Sequence, residues 1–116
     1  MQVDGALGMT AAIAEMLLQS DGNEIRFLPA LPGSWNKGEA KGLRARGGFE
    51  VDFNWDSGRL QKVTILSHAG KLCRVRSEGS FVVMHGRDEV AVTRSENVVI
   101  EFQTAPGQKY SLMRVK

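Results

Sequence analysis

A chain of 116 residues is one domain by length, long enough to bury a core and too short to enclose a deep active site between two lobes. Hydrophobic residues at 42% and charged residues at 24% form the ordinary globular mixture, which excludes a disordered tail. Fifteen Lys and Arg against 13 Asp and Glu leave a charge of +2, too weak a field to argue for nucleic acid or an anionic membrane, and the lone Cys73 excludes an internal disulfide or a thiolate metal cluster.

In chain order, Met9, Ile13, Met16 and Leu17 recur at helical spacing and predict one helix over residues 9–19, with Thr10 placed to cap its start and Asp21 and Gly22 to end it. Ala11, Ala12, Ala14 and Leu18 make its other faces apolar too. A helix apolar nearly all round belongs inside a larger assembly, so its partner is expected in chain upstream. Pro29 and Pro32 predict an extended loop that displays Trp35. Beyond residue 22 the texture changes to short strands, expected at 24–28, 42–46, 49–55, 60–67, 72–76, 80–84, 89–93, 97–102 and 109–114. The clearest signal is Phe49, Val51, Phe53 and Trp55 alternating with Glu50, Asp52 and Asn54, followed by turn chemistry at Asp56, Ser57 and Gly58, which predicts a hairpin over residues 49–67. The expected fold is mainly β: a small antiparallel β-sandwich at residues 22–116, preceded by one N-terminal α-helix within residues 1–21.

Few residues carry chemistry by pattern alone. Asp4 stands directly before the predicted helix, where the helix start favours an ionised carboxylate; the plain reading is a capping or turn aspartate, the functional one a general base. Glycoside hydrolysis needs a second carboxyl across the scissile bond, and Glu15, eleven residues further along the helix and so roughly 16 Å away, cannot share one sugar with it. His68 and His85 lie at turns without ligand-spaced neighbours and read as surface residues, so neither metal nor cofactor is expected. Ser34, Ser57 and Ser67 lack a nucleophile elbow. Lys37, Lys41, Arg44 and Arg46 form a basic cluster in which alternation would place Arg44 and Arg46 on one face, either a solvated or salt-bridged surface or a phosphate strip. Among the aromatics Trp55 fits the apolar face of its strand, Trp35 is the candidate for an exposed sugar-stacking platform, and Tyr110 is a second one.

Taken together, several segments resemble the C-terminal part of glycoside hydrolase family 95, the inverting α-L-fucosidases. Gln2-Val3-Asp4-Gly5 with Thr10 to Ser20 looks like the family's Q-[IV]-D-G-N-F-G segment and the helix that closes its (α/α) barrel. Leu28-Pro29-Ala30-Leu31-Pro32 and Gly42-Leu43-Arg44-Ala45-Arg46-Gly47-Gly48 look like its most recognisable downstream block, and the ending through Pro106-Gly107 to Tyr110-Ser111-Leu112 is similar to its final hairpin. The resemblance implies a parent that cleaves terminal α-L-fucose, with the predicted helix as a remnant of its barrel and the β region as a domain packed against it. It maps the family's base onto Asp4, acting with upstream asparagines, while the general-acid glutamate lies in chain not present here. The family's usual Asn and Phe after Asp-Gly are Ala6 and Leu7, which implies an altered pocket and admits α-L-galactose as the sugar.

The expected partners are therefore the upstream catalytic domain and, through it, fucosylated glycans, with neither nucleic acid nor membrane; the apolar helix stripped of its barrel gives the isolated chain a reason to form a homodimer. The resemblance also implies an exported parent, whose signal would stand upstream. Two rival readings are a stand-alone carbohydrate-binding module using Trp35 or Tyr110, and a nucleic-acid binder built on Arg44 and Arg46.

Overall fold

The computed structural model describes residues 2–4, 18–21, 24–27, 36–77, 79–95 and 99–115. They form two sheets around one core. The larger takes the order β1 (Gln2–Asp4), β4 (Lys37–Ala45), β5 (Phe49–Asp56), β6 (Arg59–Ser67), β12 (Gln108–Val115), β8 (Ser80–His85), β9 (Asp88–Glu89). The smaller runs β10 (Thr93–Ser95), β11 (Val99–Phe102), β7 (Cys73–Arg76), β3 (Glu24–Phe27), β2 (Leu18–Asp21).

The expected hairpin is the centre of the larger sheet. Its alternation works as written: Phe49, Val51, Phe53 and Trp55 are buried, while the polar residues between them face outward. Ser57 and Gly58 turn the chain with φ of 56° and 72°, the left-handed pair that matches the twist of a two-residue hairpin loop. Phe27 of the smaller sheet meets Phe53 of the larger edge to face at 5.0 Å, and Phe102 meets Tyr110 at 5.6 Å, so aromatic contacts bridge the layers. Each such side chain withdrawn from water stabilises the fold by about 1.5–3 kcal/mol.

Four expectations change. Leu18 and Gln19, assigned above to the end of a helix, are strand and pair with Phe27 and Arg26; the remainder of that helix lies outside the described residues. Pairing to the edge of β3 gives the backbone groups that face it ladder partners, and this tertiary gain overrides the segment's helical propensity. The sheets are rich in antiparallel pairs but not wholly so, because β1 runs parallel to β4 and β3 parallel to β7. The strand expected at 89–93 is split: the chain leaves the larger sheet after Glu89 and joins the smaller at Thr93, while Val90 and Val92 pack against the core on the way across. Finally, Arg46 lies beyond the end of β4, in the turn that follows, so it does not share a strand face with Arg44.

Candidate functional site

The outer face of the larger sheet over β4, β5 and β6 is built around two irregularities in the ladder. The first falls between Ala40 and Leu43, where Gly42 takes a φ of 71°; a Cβ there would touch nothing, so backbone conformation and not crowding calls for glycine. The displaced Gly42 N–H donates to Asp52 Oδ1 at 2.8 Å. The second falls between Asn54 and Trp55, and there the Lys62 N–H donates to Asn54 Oδ1 at 3.1 Å. Each bulge thus turns one backbone donor onto the side chain of an outward residue of β5 and fixes it.

Two adjoining hollows flank these side chains. One, of about 430 Å³, is lined by Lys37, Glu39, Asn54, Asp56 and Gln61 over the buried Trp55. The other, of about 200 Å³, lies between Glu39, Lys41, Asp52, Asn54, Lys62 and Thr64. Glu39 and Asn54 belong to both, so the hollows read as one open groove. Its β4 rim, Glu39 to Lys41, is also the stretch with which β1 pairs, Asp4 standing opposite Lys41 in register. The backbone of Asp4 therefore runs along the groove's edge.

Other residues singled out in the sequence have structural partners. Trp35 lies outside the described residues. Trp55 is buried, as its strand position requires. Tyr110 is not an exposed platform: it is 4% exposed, stacks on His85 at 4.9 Å, and its hydroxyl accepts the Ala105 N–H at 2.8 Å, tying down the chain just ahead of β12. Its parity with the buried Leu112 explains why it points inward. His85 Nε2 meets Gln108 Oε1 at 3.0 Å. Glu50 is shared by Arg44 at 3.3 Å and His68 at 3.5 Å, and Lys41 lies 3.7 Å from Glu39, so the basic cluster is interleaved with carboxylates. Ser67 is buried, bonded to Thr104 Oγ1 at 2.8 Å and accepting the Gly70 N–H at 3.0 Å, which makes it a structural tie between loops. Burial pushes the Cys73 thiol up to about 12, leaving it an inert core residue.

On the smaller sheet the outer face is arranged otherwise. Glu24 receives Arg76 Nε at 2.7 Å and Arg74 Nε at 3.3 Å, and Arg74 Nη1 reaches Glu101 at 2.8 Å. The Arg76 hydrogen bond, with further help from Arg74, holds the Glu24 carboxyl below its ordinary value against the opposing pull of burial. Glu101 and then Glu24 hold the Arg74 guanidinium still more firmly protonated.

Asp52 and Asn54 were not among the residues that sequence reasoning singled out. Their signal was present, since both are polar members of the clearest alternation in the chain, but nothing local announces the bulges that clamp them.

The family model for the glycoside hydrolase family 95 C-terminal domain matches residues 19–112. The chain is 48% identical over 60 residues to "Alpha-L-fucosidase 2" of Arabidopsis thaliana, an alignment covering 51% of this chain and 7% of that protein. It is 33% identical over 93 residues to "Probable alpha-fucosidase A" of Aspergillus oryzae (71% of this chain, 13% of that protein), and 33% identical over 69 residues to the protein of the same description from Aspergillus niger (49% and 9%). The chain thus spans only about a tenth of the length of these curated relatives. A β body matching the family's C-terminal domain over most of its length establishes that this chain belongs to glycoside hydrolase family 95, as its C-terminal domain.

Proposed function

We propose that the chain is the accessory β domain of a longer glycoside hydrolase that removes terminal α-L-fucosyl, or related α-L-galactosyl, residues with inversion, and that the chain by itself is inert. The observation that carries this reading is the match of residues 19–112 to the family's C-terminal domain, joined to relatives described as fucosidases. The β body, which β1 and β2 join, then supports a catalytic barrel formed by the rest of the longer chain.

Inversion requires a base that takes a proton from water on one face of the sugar and an acid that protonates the leaving oxygen on the other. Asp4 is the base in this proposal: its carboxylate deprotonates the water that attacks the anomeric carbon, and the acid comes from the preceding catalytic chain. Trp35 is the candidate contact to the glycan. Without the acid and the cavity that aligns it, Asp4 has no reaction to serve.

The test compares two proteins. In the longer enzyme Asp4→Asn is expected to lower fucose release by about 10²–10⁴-fold, while the purified chain releases none. Full activity of the Asn variant would remove Asp4 from the mechanism, and steady release by the chain alone would refute inertness. The apolar sequence of residues 9–17 also gives the isolated chain a surface for self-association, so its mass by sedimentation is expected to rise toward a dimer with concentration; a monomer throughout contradicts this.

A further inference from the structure

The groove on β4, β5 and β6 carries two side chains that are fixed without being used up. Asp52 and Asn54 each give Oδ1 to a backbone N–H, which locks the side-chain torsions. Asp52 Oδ2 and Asn54 Nδ2 then form no further hydrogen bond among the described residues. One is an acceptor and the other a donor, and residues two apart on a strand are spaced by roughly 6.5–7 Å, within the reach of hydroxyls on one pyranose and its neighbour. The charges around them balance: Lys37, Lys41 and Lys62 against Glu39, Asp52 and Asp56. A site for an anionic ligand would carry excess positive charge, whereas alternating donors and acceptors of both signs suit a neutral polyhydroxylated one. The larger hollow, about 430 Å³, falls within the size range of small-molecule sites.

We infer that this groove is a binding subsite for a neutral oligosaccharide, with Asp52 accepting from and Asn54 donating to its hydroxyls. Treating that saccharide as the portion of substrate beyond the terminal sugar rests on the hydrolase reading above; the binding itself does not. Because the groove is open and its binding side chains are already ordered, affinity comes from preorganisation and not from enclosure.

The experiment is a titration of the full chain with lactose, 2′-fucosyllactose and 3′-sialyllactose, following the backbone amide signals of Gly42 and Lys62, the two donors that clamp the site. Saturable shifts with both neutral sugars are expected, with sialyllactose binding no more tightly. Asn54→Asp and Asp52→Asn keep an oxygen for the clamping N–H while altering the outward atom, and each is expected to weaken binding about five-fold or more with an unchanged melting temperature. Absence of shifts up to about 50 mM sugar, preference for the anionic sugar, or unchanged affinity in both variants would overturn the proposal. Groove binding that survives alongside an inactive longer enzyme would overturn the hydrolase reading alone; fucose release by the longer enzyme with no shifts here would overturn the groove alone.

Discussion

The two outer faces of this molecule use the same kinds of residue to opposite ends. On the smaller sheet Glu24, Arg74, Arg76 and Glu101 satisfy one another, each roughly a quarter exposed and bonded across three strands. On the larger sheet Asp52 and Asn54 are held by backbone and offer their second polar atom to whatever enters the groove. A polar face that closes on itself serves stability, and one that is clamped from behind and open in front is prepared for a ligand. The difference lies in the ladder: β3, β7 and β11 run in unbroken register, which sets guanidinium opposite carboxylate, while the bulges in β4 and β6 free backbone donors to act on side chains of β5.

The comparison can be broken most completely from below. Phe53→Ala removes the ring that lies beneath the groove and against Phe27, so it should cost about 3–5 kcal/mol in denaturant unfolding and abolish both faces together. Retention of groove binding in that variant at full stability would mean that the two sheets do not depend on one core. A smaller effect separates the faces. Glu24→Ala leaves two half-buried guanidinium groups without their shared carboxylate and is expected to cost about 1–2 kcal/mol, with the sugar-dependent shifts of Gly42 and Lys62 unaltered. A shift of the binding curve in this variant would show that the faces are coupled.

Acid sharpens the contrast. The Glu24 carboxyl titrates below 4.5 in the folded chain, so between that lower value and 4.5 the unfolded chain binds more protons. Its contribution to stability is therefore complete well above pH 4.5 and is lost as pH falls through the folded value. The gap in urea midpoint between the native chain and Glu24→Gln should stay level from pH 7 to 5.5 and narrow toward pH 3; a gap unchanged at pH 3 would remove this carboxylate from the stability of the smaller sheet. Smallest of all, Asn54→Asp and Asp52→Asn should alter stability by less than about 0.5 kcal/mol, since the clamping hydrogen bonds persist.

Much of the architecture is legible locally. Half-buried strands write their burial into a period of two, so the hairpin from Phe49 to Ser67 and the strands through Phe81, Ile100 and Leu112 can be read from neighbouring residues alone. Tyr110 was equally legible by parity with Leu112, and treating it as a surface aromatic weighed its chemistry over its position. The segment at Leu18 and Gln19 was not legible, because helical spacing was its strongest local pattern and the edge of β3 that captures it is a tertiary feature. The same holds for residues 90–92, where alternation survives but serves a crossing between layers in place of a ladder.

What the amino-acid sequence determined by itself is therefore what short-range physics encodes: a β-rich body, the faces of its strands, the burial of Trp55, and the segments that carry the family resemblance. What only the tertiary structure decided is which strands meet. The parallel pairing of β3 with β7, the placing of Asp4 beside Lys41, the gathering of Glu24 with Arg74 and Arg76, and the clamping of Asp52 and Asn54 all join residues distant in the chain or depend on a shift in register. Such contacts exist only once loop closure is compensated by a common core, and no local pattern can announce them in advance.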